Sequence, residues 1–259
     1  MALALCVTAE ERDTVIPLIV LSVAIVMMSI EALRPGRSWP RVDYWWLRAL
    51  LLNGIQGLMV LVAGLAWDQW LLRHRPWSAD ELGLVGGSII GYLAITFVYY
   101  WWHRWRHEVP LLWNWFHQVH HSPQRIEIIT SFYKHPFELL ANSILSSAIL
   151  YLGVGLGAAA AAGAVLLSGL AELFYHWNVR TPHWLGYLFQ RPESHCVHHQ
   201  EGVHSYNFAD LPLWDILFGT FHNPRVAQFR CGFGPEHEHR LAEMLWGVDV
   251  NRISSERSL

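Results

Sequence analysis

Three groups of histidine constrain this chain more than any other feature. The first is His103-Arg104-Trp105-Arg106-His107, with Glu108 directly after it. The second is His117-Gln118-Val119-His120-His121, and the third repeats its spacing as His195-Cys196-Val197-His198-His199. On a helix, residues three and four apart are surface neighbours, so each group aims its rings one way. Imidazole is the commonest metal ligand among side chains, and these eight exceed the roughly four to six positions around one ion. The pattern predicts two metals. An all-nitrogen donor set suits iron, zinc, copper or nickel better than magnesium or calcium.

Only 15% of the 259 residues are charged and 53% are hydrophobic, where a soluble domain carries about a quarter charged. The formal net charge of −3 offers no basic footprint, so no nucleic-acid partner is expected. Cys6, Cys196 and Cys231 are too few for a disulfide framework. Cys196, between two histidines, reads first as a small buried residue and alternatively as a soft ligand.

Residues 1–14 are polar and lack the basic start of a signal peptide. Val15–Leu33 is apolar apart from Ser22, Ser29 and Glu31, and is long enough to span a bilayer. Ala49–Ala66 carries no charge and is flanked by Trp45, Trp46, Trp67 and Trp70, as at a membrane–water boundary. Leu82–Trp102 is a third uncharged run and leads straight into His103. Its Gly87 and Gly91 have the spacing that lets membrane helices approach closely; relief of crowding is the alternative, and both stay open. Leu139–Ala171 is uncharged throughout. One helix of that length would reach about 50 Å, against a hydrocarbon core of about 30 Å. Gly153, Gly155 and Gly157 near its middle therefore predict a hairpin, Pro136–Gly153 and Ala158–Trp177. That hairpin returns His135 and His176 to the depth of the histidine groups.

The expected fold is an all-α integral membrane protein, with four to five membrane helices and a cytoplasmic helical cap holding a di-metal site. Residues 1–81 are read as N-terminal membrane helices, 82–222 as the catalytic unit and 223–259 as a tail. Arg12, Arg73 and Arg75 fall on one side of this arrangement and the other fifteen of eighteen basic residues on the histidine side. Short basic loops face the cytoplasm. The histidines are expected there, in a bacterial inner membrane by the bias of arginine over lysine. Glu108, Glu138, Glu172, Glu193, Asp210 and Asp215 are available to orient ligand rings. Glu172, four residues before His176, is read as either a ligand or a base, with an interfacial charge as the alternative.

Further motifs join the histidines: Lys134-His135-Pro136-Phe137-Glu138, Phe174-Tyr175-His176-Trp177-Asn178, Asn207-Phe208, and Leu213-Trp214-Asp215-Ile216-Leu217-Phe218-Gly219-Thr220. Together with Tyr99–Glu108, Leu112–Ser122 and Pro192–His199, they resemble the fatty acid hydroxylase/sterol desaturase superfamily. The resemblance runs, in the family's order, over roughly residues 90 to 222; the first eighty match only as membrane helices. It implies a non-haem di-iron oxygenase that hydroxylates or desaturates a lipid, such as a sterol, fatty acyl chain, or ether or amino lipid. Dioxygen would be the oxidant, and a ferredoxin, cytochrome b5-like protein or reductase the external electron donor. Carried over, the ligands of two iron ions, replaceable by zinc on purification, are His103, His107, His117, His120, His121, His195, His198 and His199. His176 fits an additional ligand, and His135 a position that is ligand or support. Glu108 and Glu172 are the candidate catalytic carboxylates. Glu172 departs from the family's pattern, standing where the acyl hydroxylase branch has a histidine, and His107-Glu108 is similar to the ether-lipid monooxygenase branch.

Two other classes fit less well. A metal transporter needs polar ligands along a path near the bilayer midplane, and the apolar runs carry no histidine. A zinc hydrolase needs an open site with three protein ligands, far fewer than are present. The orientation is testable: a reporter fused to the C-terminus should be active only in the cytoplasm, and activity outside the cell would overturn the arginine argument.

Overall fold

The computed structural model describes residues 9–251; the first eight residues, and residues 252–259 of the expected tail, lie outside the described residues. The described chain is helical, with one isolated antiparallel bridge between Gln200 and Cys231. In order come α1 (Ala9–Leu33), α2 (Trp45–Arg73), α3 (Gly83–Glu108) and α4 (residues 110–121). There follow α5 (Pro136–Val154), α6 (Ala158–Tyr175), α7 (Pro192–His198) and α8 (Pro212–Phe218). Four are long and apolar enough to cross a membrane: α2, α3, α5 and α6. Leu50, Leu51, Leu58 and Leu65 of α2 are all exposed. A monomer facing water rarely carries so continuous an apolar face, whereas acyl chains match it. The expected first span, Val15–Leu33, lies in α1; its apolar part Leu21–Leu33 is shorter than the other four, and several side chains before Leu21 lie outside the described residues.

The uncharged run after Leu139 is broken where the glycines predicted. Gly155 sits at φ 78, and a Cβ there would lie 2.4 Å from Trp77 Cδ1, so only glycine fits. The Ala79 amide donates to the Gly155 carbonyl at 2.9 Å. Arg75, held to Asp80 at 2.9 and 2.6 Å, donates to it at 3.3 Å. The α2–α3 loop and the α5–α6 turn thus share one face. At the opposite face the Gly36 amide donates to the Asn178 carbonyl at 2.7 Å, and buried Glu31 accepts from the amides of Ile128 and Asn178. The end of α1, the loop after α4 and the exit from α6 meet there.

Close approach of α3 and α6 joins the two faces. A Cβ on Gly91 would come within 2.7 Å of Leu156, 2.8 Å of Leu150 and 2.9 Å of Ala164, and one on Gly87 within 2.8 Å of Ala160. These glycines are contact residues, which resolves the reading left open above. On the histidine face a second core of Trp45, Val119, Tyr133, Phe233 and Met244 ties the start of α2 to α4 and to the last described turns. Trp45 Nε1 donates to Glu127 at 2.6 Å across it.

Because Gly91 has no room for a side chain, Gly91→Val should cost roughly 1–3 kcal/mol by overpacking. Gly169→Ala, with nothing within 4 Å of the new carbon, should stay within about 0.5 kcal/mol. Thermal unfolding in detergent reads both, and a silent Gly91→Val would refute the close contact.

Candidate metal centre

The last turns of α3 place His103 and His107 one turn apart on one face. The chain reverses after Val109 and Pro110, and α4 contains a π-type turn at Trp113–His117. Such a turn inserts a residue and shifts the phase of the side chains after it. His117 and His121 face α3, while His120 faces the other way. On α7, His198 joins the α3 side, and His195 and His199 join His120. His176 arrives from the end of α6. Two groups result: His103, His107, His117, His121 and His198 in one, and His120, His176, His195 and His199 in the other. Within each, the ligand atoms all lie within 4.8 Å of one another. His121 and His199 stack face to face between the groups, ring centroids 4.3 Å apart.

The ring nitrogens converge. His103 Nε2 is 2.8 Å and His121 Nε2 3.1 Å from His117 Nε2; His176 and His199 Nε2 are each 3.0 Å from His195 Nε2. Nitrogens bound about 2.1 Å from one ion and at right angles stand about 3.0 Å apart. Several of the other nitrogens are held from behind, while Nδ1 of His121 and of His199 has no protein partner. Nδ1 of His103 is 2.6 Å from the Phe208 carbonyl, that of His198 2.8 Å from Tyr206, and that of His176 2.9 Å from Glu172. Each Nδ1–H donates to its carbonyl, which fixes the tautomer and turns the Nε2 lone pair inward. His120 Nδ1 faces the Tyr133 carbonyl at 3.4 Å, and the Gln190 amide lies 2.8 Å from His195 Nδ1. His117 Nδ1 lies 3.2 Å from the carboxylate of Glu138, itself fully buried and ion-paired with Arg106. Both nitrogens of His107 and Nε2 of His198 are buried without a protein partner. Buried polar atoms are satisfied in native proteins, and a cation among the α3-side rings would give His198 Nε2 and one nitrogen of His107 a partner.

The charge state agrees. Burial first, then neighbouring charged groups, holds His117, His120, His121, His195 and His199 well below the ordinary imidazole range. Burial pushes His176 and His198 down to about 3. Neutral imidazole is the form that binds metal. The donor set therefore fits two metal ions.

Nine of the ten candidate ligands are brought together; His135 is not. Its Nδ1 accepts from the Phe137 amide at 3.0 Å, capping α5, and its Nε2 lies 3.2 Å from the Leu245 carbonyl. Both nitrogens are engaged, which corrects its reading as a ligand. The candidate catalytic carboxylates are also placed elsewhere. Glu108 follows His107 by one residue, about 100° round the helix, where it is half-exposed and paired with Arg104 at 2.7 Å. Glu172 pairs with Lys134, so only its backbone carbonyl serves the site. Cys196 is buried outside both groups, its carbonyl 3.5 Å from Cys231 Sγ. His204 lies with its ring 5.5 Å from that of His107 and 5.0 Å from Trp113, also outside the groups. Gln190 and Arg106 support the rings without any sequence signal beyond their nearness to histidines.

Comparison with known proteins gives the same family that the motifs resemble. The fatty acid hydroxylase family matches residues 88–220, about half of the chain. This protein belongs to the fatty acid hydroxylase family. Among curated relatives, the ornithine lipid hydroxylase of Rhizobium tropici is 34% identical over 161 residues, 60% of this chain and 47% of that protein. Human alkylglycerol monooxygenase is 30% identical over 163 residues, 60% of this chain and 34% of its own. The sphingolipid C4-hydroxylase of Schizosaccharomyces pombe is 30% identical over 130 residues, covering 49% and 44%. The chain thus spans about a third to a half of the length of these relatives. No solved structure matches it.

The depressed imidazoles make the metal-free protein acid-sensitive. Below about pH 6.5 the unfolded histidines take up protons that the folded ones refuse, so stability present above that pH is lost as pH falls. Asp210, raised by burial to about 7, and Asp215, raised to about 6, pull the other way, because they hold protons folded that they release unfolded. Seven imidazoles outnumber two carboxyls. Chelated protein should therefore unfold at a lower temperature near pH 5.5 than near pH 7.5, and an equal or higher midpoint would contradict a neutral buried cluster.

Proposed function

We propose that this protein is a membrane-bound di-iron oxygenase that hydroxylates a lipid, using dioxygen and electrons from an external donor. One observation carries the reading: two neighbouring all-imidazole groups lie at the same end of four apolar helices. Iron ions held by the nine grouped histidines would, with electrons from the donor, supply the activation of dioxygen needed to remove hydrogen from an unactivated carbon. The family and the names of its relatives support lipid hydroxylation over desaturation, and iron over zinc is favoured by the chemistry, not by affinity, since ferrous iron binds more weakly. The arginine distribution favours a cytoplasmic site, which an intracellular electron donor can reach, and residues 82–222 form the catalytic unit.

In this reading the nine grouped histidines hold the metals, and the remaining residues keep them in place. The carbonyls of Phe208, Tyr206 and Glu172 set the tautomers, and Glu138 orients His117. Phe208 and Trp113 pack against His107 at 5.5 and 5.4 Å and exclude water from that side. Exclusion of water protects a reactive centre from side reactions. A transporter needs ligands spaced through the span; both groups here sit at one end.

The test pairs metal content with turnover, supplying ferrous iron, reductant, dioxygen and host lipid extract. His120→Ala and His198→Ala should each lose metal and abolish the dioxygen-dependent product bearing one added oxygen. Glu138→Gln should weaken metal binding about 10–100-fold, as removal of a ring-orienting partner does. Glu108→Gln, breaking only a surface pair worth about 0–1 kcal/mol, should keep activity. One metal per chain, or full activity in His120→Ala, ends the di-iron reading.

A further inference from the structure

The chain beyond Asn178 has the composition of a water-facing cap, yet α8 is fastened to the wrong depth for one. Trp214 Nε1 donates to Thr96 Oγ1 at 3.0 Å, and its ring lies edge-on to Phe97 at 5.0 Å. Four residues on, Phe218 stacks on Tyr100 at 5.0 Å and meets Trp101 at 4.8 Å. These partners belong to the spanning part of α3. Thr96 lies seven residues before His103, about 10 Å further into the membrane at 1.5 Å per residue. A helix clamped along Thr96–Trp101 lies beside hydrocarbon, not above it.

The outward face of α8 agrees with that depth. Trp214, Phe218 and buried Asp215 face the protein, where Asp215 accepts from the amides of Phe208 and Ala209 at 2.8 and 3.0 Å. Leu213, Ile216 and Leu217, at i, i+3 and i+4, form the opposite stripe and are 46%, 47% and 62% exposed. The short turn His183–Tyr187 and the residues after it pack beside α8 and add exposed Trp184, Leu188 and Phe189. Apart from the inward Asp215, neither 184–190 nor 211–221 carries a charged residue. The patch continues onto the exposed Leu93 and Phe97 of α3, already part of the lipid-facing surface.

We propose that α8 and the 184–189 turn are submerged in the leaflet on the histidine side, so that this part of the cap is a membrane insert whose partner is the acyl layer. An amphipathic segment lying in the interface buries its apolar face about 5–10 Å below the headgroups, which matches the depth set by Thr96. The two faces of the cap differ accordingly. Arg180 and Arg225, which line a cleft with Trp177 and Pro192, are exposed and charged, and stay in water.

The full chain, with Cys6 replaced by serine, is reconstituted in phosphatidylcholine vesicles carrying a nitroxide at Leu217→Cys, Leu188→Cys or Arg180→Cys. Cys196 and Cys231 are buried; an unsubstituted Cys6→Ser sample measures any background from them. Collision with dioxygen, which concentrates in hydrocarbon, is compared with collision with a water-soluble nickel chelate. The ratio at positions 217 and 188 should exceed that at 180 several-fold. Ratios equal to that at 180 would overturn the proposal, and shielding from both reagents would replace the bilayer with a second protein surface. Two leucine positions keep the test decisive if one variant fails to fold.

Discussion

Lone pairs of neutral imidazoles repel, and this chain drives nine of them together in a buried space. That convergence sets the terms for everything around it. A ring whose far nitrogen is fastened cannot turn away to make a hydrogen bond of its own. The fastening groups come from separate parts of the chain: the loop after α7 supplies Phe208 and Tyr206, α6 supplies the Glu172 carbonyl, and α5 supplies Glu138. No single helix can therefore assemble the site. Every element must be in place before the rings are fixed.

Membrane geometry is what puts those elements in place. The glycines of α3 let α6 and its lead-in come to contact distance, which fixes where the C-terminal end of α6 emerges and hence where His176 stands relative to His103. The α5–α6 turn, seated on Trp77 and Arg75, fixes the same relation from the other end. Glu138, one turn into α5, is thereby delivered to Arg106 and His117. Its negative charge is tolerated in a dry position because Arg106 lies against it, as a buried carboxylate requires.

Much of this was legible in the sequence because spacing and charge are local signals. The three histidine groups, the charge-free runs and the glycine break in the long one each follow from residues close together in the chain. The misreadings all concern direction. Glu108 adjoins His107 in sequence, but one residue is about 100° of helix, and it pairs outward with Arg104 instead. His135 stands just before Pro136, where its ring can cap α5 and so is spent on backbone. Each His-x-x-His-His run also splits, the i and i+4 rings going to one group and the i+3 ring to the other, where helical spacing alone reads a single face. α8 escapes a hydropathy reading because seven residues cannot fill a window scaled to a span.

The two groups differ in character. The carboxylate of Glu172 turns to Lys134, and one group has four imidazoles while the other has five. Under the proposed function, an ion held by the four-imidazole group would have more positions left for exchangeable ligands, the feature that separates catalytic from closed metal sites. That group is built from His120, His176, His195 and His199, and the ring of Tyr175 packs on His195 at 4.4 Å. Asp210, two residues before α8, accepts from Ser168 of α6 at 3.4 Å. The five-imidazole group adjoins the proposed membrane insert as well, through Phe208, whose carbonyl holds His103 and whose amide donates to Asp215 of α8. Under the proposed function a lipid reaches the centre from the leaflet without its chain entering water, and the electron donor is left the charged edge marked by Arg180 and Arg225.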